Sequence, residues 1–355
     1  MDRRGVLLLL ALPAALLGGL YLARGCGGGV HPSRKTLHLR EETWARLLAN
    51  RTIAMVGGPH FGGVEVIAAG IEAHSGALAF YGKRGDPAEG AAAQGVYPRF
   101  GGGGRRDLGV GRYALAAEAT VHWTEANTSR ISPRNRLEVL NAFGYFWREG
   151  RLRDPRYRVL LEWSPPNAVL ARYLQALLNA GTRWAPDPPR YGGGASVARF
   201  VFVARHPLAN AAEHRRRLAE RIPYAHLLKN WLRIHGYLVG DGPRLQFRHL
   251  VTYERLRRFP DAAFRDIFAF LGLDHEAPDA RADPDPNVVP RTSYCARLRD
   301  DAAFAAAHVK NVAALEAPIV ALNVSADYDL SASWPCVARA LRHAALDDRP
   351  RRAEL

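Results

Sequence analysis

Mostly apolar residues run in short blocks along this chain, and stretches with helical spacing separate the blocks. The blocks cover residues 52–57, 77–82, 157–162, 199–205 and 247–253. Helical spacing is found at 41–50, 166–180, 208–221, 224–239 and 260–272. Unbroken apolar blocks are typical of strands buried on both faces. The alternation therefore predicts an α/β fold in three layers, a parallel sheet with helices on both faces.

The residues before the first block predict a membrane anchor. Residues 5–23 carry no charged side chain and follow Arg3 and Arg4. At about 1.5 Å of rise per residue, such a segment just crosses a hydrocarbon layer of about 30 Å. A cleaved signal peptide is the alternative, but no small-x-small cleavage site ends the segment. We expect an uncleaved, single-pass signal anchor that binds the membrane.

The rest of the chain divides by composition. Glycine-rich sequence after the anchor predicts a flexible stem, and glycine and proline clusters at 82–110 and 183–195 predict long loops. The expected order is a cytosolic tip at 1–4, the anchor at 5–23, a stem at 24–45, one folded domain at 46–330 and a C-terminal tail at 331–355.

The charge of the chain narrows the class of ligand. The formal net charge is +15, and lysine occurs only at positions 35, 83, 229 and 310, so the basic residues are almost all arginine. Dense arginine favours phosphate, sulfate or acidic glycans as ligands. No nucleic-acid-binding motif accompanies the charge, and we expect no nucleic-acid partner.

Three glycosylation sequons favour a lumenal location for the folded domain and predict a glycoprotein. They begin at Asn50, Asn127 and Asn323. In such an oxidising compartment Cys295 and Cys336 could form one disulfide, which leaves Cys26 beside the membrane. Two unpaired thiols are the alternative.

Two of the apolar blocks end in sequences suited to holding an anion. The block at 52–57 enters GGPHFGG at 57–63, whose glycines allow close approach of the backbone to a phosphate. The block at 199–205 ends in Arg205, which supplies a cation. A tight strand-to-helix turn and an internal ion pair are the alternative readings of these residues.

The order of these segments resembles the sulfotransferase family, and in particular its membrane-anchored carbohydrate and protein branch, with features of a glycine-rich algal-type subgroup. The similar segments are VGGPHFGGVEVIAAGIEAH at 56–74, EGAAAQGVYP at 89–98, VLLEWSPPNAVLARYLQALL at 159–178, FVFVARHPLANAAEH at 200–214 and LVTYERLRRFPDAAFRDIFAFLGL at 250–273. The resemblance covers roughly residues 50–330 and implies a P-loop-like sulfotransferase fold.

The resemblance implies a donor and its binding residues. The donor is 3'-phosphoadenylyl sulfate, used as a co-substrate without an obligatory metal. Its 5'-phosphosulfate is expected at Gly57, Gly58, Pro59, His60, Phe61, Gly62 and Gly63. Arg205 matches the arginine that grips the 3'-phosphate, and Glu213 stands where the family has a serine. The branch implies a single-pass type II protein of the Golgi membrane with a lumenal catalytic domain.

Several positions depart from the family pattern. Phe61 occupies the place of the basic loop residue, Glu65 lies where a hydroxyl is expected, and Trp163 replaces the lysine of the EKSPPN segment. His60 is the candidate that could replace the missing cation, because a histidine can become charged beside a polyphosphate. His60 and Glu162 are the candidate catalytic residues. Capping of the turn by His60 and an internal ion pair of Glu162 are the alternatives.

Two functions follow from the sequence. The first is transfer of a sulfuryl group to a hydroxyl of a carbohydrate or protein acceptor. The second is a catalytically impaired relative that binds nucleotide or glycan without transfer, in keeping with the lost loop lysine and hydroxyls. A kinase or ATPase of the P-loop class is disfavoured, because the GK[ST] lysine and hydroxyl and an acidic Mg²⁺-binding run are missing.

Overall fold

The structure is a computed structural model that describes residues 35–81, 89–98, 122–180, 198–218, 224–276 and 316–322. Its strands are β1 (Thr52–Gly57), β2 (Ala77–Leu78), β3 (Val159–Trp163), β4 (Ala198–Ala204) and β5 (Arg248–Thr252). The longer helices are α1 (Glu41–Leu48), α2 (Val64–Glu72), α4 (Pro133–Trp147), α6 (Asn167–Asn179), α7 (Pro207–Leu218), α8 (Tyr224–Asp241) and α10 (Pro260–Leu271). The shorter ones are α3 (Gly90–Ala93), α5 (Glu149–Leu152), α9 (Tyr253–Arg258) and α11 (Glu316–Leu322).

The five strands form one parallel sheet in the order β2-β3-β1-β4-β5. Strand β1 lies at the centre, where Met55 is paired with Glu162 of β3 and Phe200 of β4. The chain leaves β1 towards β2 and leaves β4 in the opposite direction towards β5. The carboxyl ends of β1 and β4 are therefore the topological switch point, where open parallel sheets bind their ligands.

Helices cover both faces of the sheet, as the apolar blocks predict. In β1 the side chains of Ile53 and Met55 pack in one core cluster, and Ala54 and Val56 pack in the other. The first cluster includes residues of α1, α4, α6 and α8, and the second includes residues of α2 and α10. Because both faces are covered, strands β1, β3 and β4 read as nearly continuous apolar runs rather than as an alternating pattern. The predicted α/β class and three-layer arrangement are confirmed.

Two elements differ from the sequence-based expectation. The strand expected at 77–82 ends at Leu78, because the Tyr81 backbone N–H donates to Phe146 O at 2.7 Å instead of joining the sheet. The packed part of the chain begins before residue 46. Trp44 is fully buried and its indole N–H donates to Asn141 Oδ1 at 3.0 Å. Part of the predicted stem thus belongs to the core.

Other sequence-based expectations fall on residues that the structure does not describe. These are the cytosolic tip, the anchor at 5–23, the three cysteines, the sequon at Asn323 and the tail at 331–355. Among the helices that are described, none combines the length and apolar character needed to cross a membrane.

Candidate functional site

The turn between β1 and α2 is closed by its own backbone hydrogen bonds. The Gly62 N–H donates to Pro59 O at 2.9 Å, and the Gly58 N–H donates to Pro165 O at 3.2 Å. Helix α2 begins at Val64, directly after this turn. The first N–H groups of a helix lack acceptors within the helix and carry a partial positive charge. The turn therefore presents the N-terminus of α2 at the carboxyl edge of the sheet.

Packing explains the glycines of this turn. A Cβ atom at Gly57 would lie 2.7 Å from Ala168 N, and one at Gly58 would lie 2.6 Å from Val203 Cγ1. Gly63 has a φ of 105°, and a Cβ there would overlap the Tyr253 ring. Each of these glycines is thus required by the surrounding protein. Contact between the turn and a phosphate stays a prediction.

Phe61 adopts a backbone conformation that is unusual for its type. Its φ is 56°, in the left-handed region that costs an L-residue about 1–2 kcal/mol. The Phe61 ring meets the His214 ring edge to face at 4.7 Å. Its carbonyl oxygen accepts a hydrogen bond from Arg205 Nη1 at 2.9 Å. These contacts hold the strained residue in place and point its carbonyl at Arg205.

Arg205 is a buried cation at the end of β4, with 4% of its surface exposed. Its guanidinium carbon lies 4.4 Å from the centroid of the Tyr253 ring. The Trp231 indole N–H donates to Arg205 O at 2.8 Å and fixes the backbone. Arg205 Nε is buried and has no hydrogen-bond partner among the described residues. A buried unsatisfied charged donor is costly unless a ligand or water fills the position.

A second side chain, Asn210, joins the two strand ends. On α7, Asn210 is buried and its Nδ2 donates to His60 O at 2.8 Å. Arg205 and Asn210 therefore hold two successive carbonyls of the turn, and the structure brings the predicted turn and the predicted arginine together. Sequence reasoning missed Asn210, whose one available signal was its place in the first turn of the helix after Arg205.

Carboxylates on neighbouring elements flank Arg205. The Glu254 Oε1 atom accepts the His206 backbone N–H at 2.9 Å, and burial raises the pKa of Glu254 while Arg205 opposes the shift. Glu213, predicted to contact the donor, is buried on α7. Glu213 and Arg205 both act electrostatically on His214, with opposite effects on its pKa.

His60 is neutral in the ligand-free protein. Burial, and then the nearby His214, lower the pKa of His60 to about 3. Burial also lowers the pKa of His214 to about 4. At pH 7 neither ring supplies the positive charge expected from a loop lysine, unless a bound anion changes the balance.

Glu162 is fully buried at the end of β3 and is anchored through both oxygens. Its Oε1 accepts the Ser164 hydroxyl at 2.5 Å and the Gly90 backbone N–H at 3.0 Å. Its Oε2 accepts Asn167 Nδ2 at 2.5 Å. Burial raises the pKa of Glu162 to about 7, against these three hydrogen bonds, which lower it. The carboxyl group fixes helix α3 to the Ser-Pro-Pro-Asn segment, and its predicted catalytic role stays a prediction.

Glu89 is a further carboxyl group at this end of the site, which sequence reasoning did not single out. It is half-buried directly before α3. Burial, and then the charges of Glu65 and Glu162, raise the pKa of Glu89 to about 8. The one feature of the sequence that could have identified Glu89 is its place at the start of the segment 89–98. Its charged neighbours, Glu65 and Glu162, belong to elements far away in sequence.

No metal centre is formed by the described part of the chain. It contains no group of three or more His, Cys, Asp or Glu side chains placed to hold an ion.

The chain was compared with known proteins. No protein-family model and no curated protein sequence matches it. Among solved structures, the sulfotransferase domain of the Synechococcus PCC 7002 olefin synthase is similar at 18% identity and a TM-score of 0.40, over 70% of this chain and 78% of that one. The sulfotransferase domain from the curacin biosynthetic pathway shows 15% identity and a TM-score of 0.38, over 67% and 76%.

A third similar structure is the sulfotransferase from Alicyclobacillus acidocaldarius, at 16% identity and a TM-score of 0.37, over 80% of this chain and 99% of that one. The first two similar structures are sulfotransferase domains and the third is a sulfotransferase. Because the TM-scores are below 0.5, the functional argument depends on the residues of this chain.

Proposed function

We propose that this protein binds 3'-phosphoadenylyl sulfate at the carboxyl ends of β1 and β4 and transfers its sulfuryl group to a hydroxyl of an acceptor. The observation that carries the proposal is Arg205: its guanidinium is buried, it holds the glycine turn through Nη1, and its Nε is unsatisfied. A phosphate oxygen at Nε would complete the hydrogen bonding of this cation.

The two anionic ends of the donor fit different parts of the site. The 3'-phosphate would lie against Arg205, and the 5'-phosphosulfate against the N-terminus of α2. In the transfer step the acceptor oxygen attacks sulfur in line while the bridging phosphate oxygen leaves. The chain then has to position the two reactants, stabilise charge on the leaving oxygen and remove the hydroxyl proton.

Calorimetry with adenosine 3',5'-bisphosphate tests the binding step. The full-length protein, kept in mild detergent, should bind the nucleotide. Arg205→Ala should weaken binding by roughly 10- to 100-fold, since a hydrogen bond to a charged group contributes about 1.5–3 kcal/mol. The matched control is Arg265→Ala, which removes an exposed arginine paired with Asp261 and should leave affinity unchanged. Unaltered binding by Arg205→Ala would contradict the assignment.

A second candidate function is nucleotide binding without transfer. Specific observations favour it: Phe61 occupies the place of the basic loop residue, and the pKa of His60 is lowered to about 3, so His60 does not replace the missing charge. The two functions are separated by incubating the protein with labelled donor and a library of glycans and peptides. Binding without any labelled product would favour the second function.

We also propose that the acceptor is a carbohydrate or protein of the secretory route and that residues 5–23 anchor the protein in the Golgi membrane. Asn50, which begins a sequon, is exposed and would therefore be accessible to glycosylation in a lumenal folded part. Glycosidase treatment of the full chain from cells should increase its gel mobility, and Asn50→Gln should remove part of that shift. A chain that carries no glycan would count against this location.

A further inference from the structure

Positive charge is concentrated in residues 148–158, which we call the arginine segment. It carries five arginines against two carboxylates, Glu149 and Asp154. The segment follows α4 and leads into the amino end of β3, whereas the proposed nucleotide site lies at the carboxyl ends of β1 and β4. Like charges held close together destabilise a fold unless other groups compensate them. The arginine segment is therefore a place to look for a second anion site.

A sixth arginine, Arg51, holds the backbone of the arginine segment. Its Nε donates to Tyr157 O at 2.8 Å, and its Nη2 donates to Asp154 O at 2.9 Å. Its Nη1 donates to Leu152 O at 2.5 Å. One side chain thus binds three carbonyl groups of the segment. The exposed arginines project from a fixed backbone, which lowers the entropy lost when a ligand binds them.

Two tyrosine rings orient three guanidinium groups of the segment. The guanidinium carbon of Arg148 lies 3.3 Å from the centroid of the Tyr81 ring. Those of Arg156 and Arg151 lie 4.6 Å and 5.7 Å from the centroid of the Tyr157 ring. A guanidinium stacked on a ring keeps its charge and can still donate from its N–H edge to a sulfate or a carboxylate. These arginines are therefore arranged for an anion before it arrives.

Carboxylates compensate only part of this charge. The ion pairs of the segment are Arg153 with Glu149, Arg156 with Asp154 and Arg158 with Asp274. Arg148 and Arg151 are exposed, and neither forms an ion pair with a residue that the structure describes. Two oriented arginines thus remain able to bind an external anion.

The backbone of Arg148 indicates that its side chain is needed for more than stability. Its φ is 62° and its ψ is 118°, a conformation that glycine adopts more readily than an L-residue with a side chain. Strain of this kind persists mainly at functional positions. Glycine would fit the backbone at position 148 but would remove the cation from the Tyr81 ring.

A groove beside the arginines indicates which class of anion fits. It has a volume of about 640 Å³ and lies along the edge strand β2. Its walls include Tyr81, Tyr157, Arg151 and Arg156, and also the carboxylates of Glu72 and Asp274. A nucleic-acid backbone or an anionic membrane would be repelled by these carboxylates. A sugar chain presents hydroxyls that donate to carboxylates, and an acidic sugar chain adds groups that bind arginine.

We propose that this groove binds an acidic oligosaccharide, with sulfate or carboxylate groups of the sugar chain held by Arg151 within the groove and by Arg148 over Tyr81. The volume is in the range of sites that enclose a small ligand and suits a few sugar rings. The binding needs neither nucleotide nor sulfuryl transfer. It is a second site, separate from the turn and from Arg205.

Fluorescence polarisation with a labelled, heparin-derived hexasaccharide tests the groove on the full-length protein in mild detergent, at about 0.15 M NaCl. The wild-type protein should bind the probe, and neutral maltohexaose should not compete with it. Arg151→Ala should weaken binding about fivefold, the effect of one charged pair in a partly open site. The matched control is Arg153→Ala, which removes the same charge from the same segment but does not line the groove, and affinity should stay within about twofold.

Arg148→Gly separates a binding role from a structural one. Because glycine relieves the backbone conformation, the midpoint of chemical denaturation should stay unchanged or rise. The affinity for the hexasaccharide should nevertheless fall about fivefold. A lower midpoint together with wild-type affinity would show that Arg148 is retained for stability, and would overturn its part in the site.

The remaining outcomes decide on the partner. Equal losses in Arg151→Ala and Arg153→Ala would show attraction by net charge alone and overturn the groove. Tighter binding of a single-stranded oligonucleotide, an acidic peptide or vesicles with about 30% phosphatidylserine would overturn the assignment to a sugar chain. Failure of the proposed function is seen separately, as absent nucleotide binding with hexasaccharide binding intact. Arg205→Ala should leave the hexasaccharide affinity unchanged.

Discussion

The two ends of the candidate site differ in the sign of their charge. At the end of β4, Arg205 is a buried cation that holds the glycine turn through the Phe61 carbonyl. At the end of β3, Glu162 and Glu89 are carboxyl groups whose pKa burial raises to about 7 and about 8. One edge of the sheet thus carries a position suited to an anion and a position suited to a proton. Transfer of a group from an anionic donor to a hydroxyl needs a position that binds the anion and a position that accepts the proton. Neither end of the site supplies both.

The glycine turn lies between these two ends, and its disruption should have the largest effect. Gly63→Ala places a side chain at a φ of 105° and against Tyr253, which also lies under Arg205. We expect a loss of roughly 4 kcal/mol in the free energy of unfolding. Gly240→Ala is the control. Gly240 lies on helix α8, and a Cβ added there would have no atom within 4 Å, so the substitution should leave the free energy of unfolding unchanged or raise it by about 0.5–1 kcal/mol. Chemical denaturation measures both.

The carboxyl group of Glu162, at the end of β3, should make the free energy of unfolding depend on pH. The pKa of Glu162 is raised from 4.5 to about 7 in the folded protein, so the unfolded chain releases this proton first. Its contribution to stability is therefore complete below about pH 4.5 and is lost as the pH rises to 7, by roughly 3 kcal/mol. Denaturation from pH 5 to 8 should show a steeper loss for the wild-type protein than for Glu162→Gln. Parallel curves for the two proteins would contradict the burial of a titrating carboxyl.

At the end of β4, loss of Asn210 should weaken nucleotide binding less than loss of Arg205. Asn210→Ala removes the hydrogen bond to His60 O but leaves the cation in place. A neutral hydrogen bond contributes about 1 kcal/mol, and this one is present in the free protein as well, so its loss should lower the affinity for adenosine 3',5'-bisphosphate by no more than about fivefold, through a less firmly held turn. Calorimetry under the conditions used for Arg205→Ala gives the comparison. A loss larger than that of Arg205→Ala would assign the anion site to the turn instead of the arginine.

The smallest effect is expected at His60. Since burial and His214 lower its pKa to about 3, the ring is neutral at pH 7.5 and contributes no fixed charge. His60→Gln should change nucleotide affinity by less than about threefold at this pH. Proton NMR of the wild-type imidazole should show no titration above pH 5 in the ligand-free protein. Titration near pH 6.5 would instead support His60 as the replacement for the loop lysine.

Local pattern explains how much of the fold the sequence predicts. Blocks of mostly apolar residues identify strands β1, β3, β4 and β5. Strands β1, β3 and β4 show no alternation because both of their faces are buried, whereas the edge strand β5 exposes Arg248 and Leu250. The apolar pattern does not predict that β2 ends at Leu78, because this end depends on a hydrogen bond from the Tyr81 N–H to Phe146 O on a helix distant in sequence. The place of Trp44 in the core depends in the same way on Asn141.

The candidate site is also predictable from the sequence only in part. The glycine turn and Arg205 are visible in the sequence because each directly follows an apolar block. Their packing is not visible: the atoms that require Gly57 and Gly63 belong to Ala168 and Tyr253. The raised pKa of Glu89 depends on burial and on Glu65 and Glu162, which no spacing rule connects to it. The sequence therefore does not predict pKa shifts that are caused by tertiary contacts.

A crystal structure of the full-length protein with adenosine 3',5'-bisphosphate tests the two-ended site most directly. We predict that the 3'-phosphate lies within hydrogen-bond distance of Arg205 Nε and that the 5'-phosphate lies at the N-terminus of α2, on the side of Glu89. A nucleotide bound elsewhere, or one that leaves Arg205 Nε without a partner, would contradict the account.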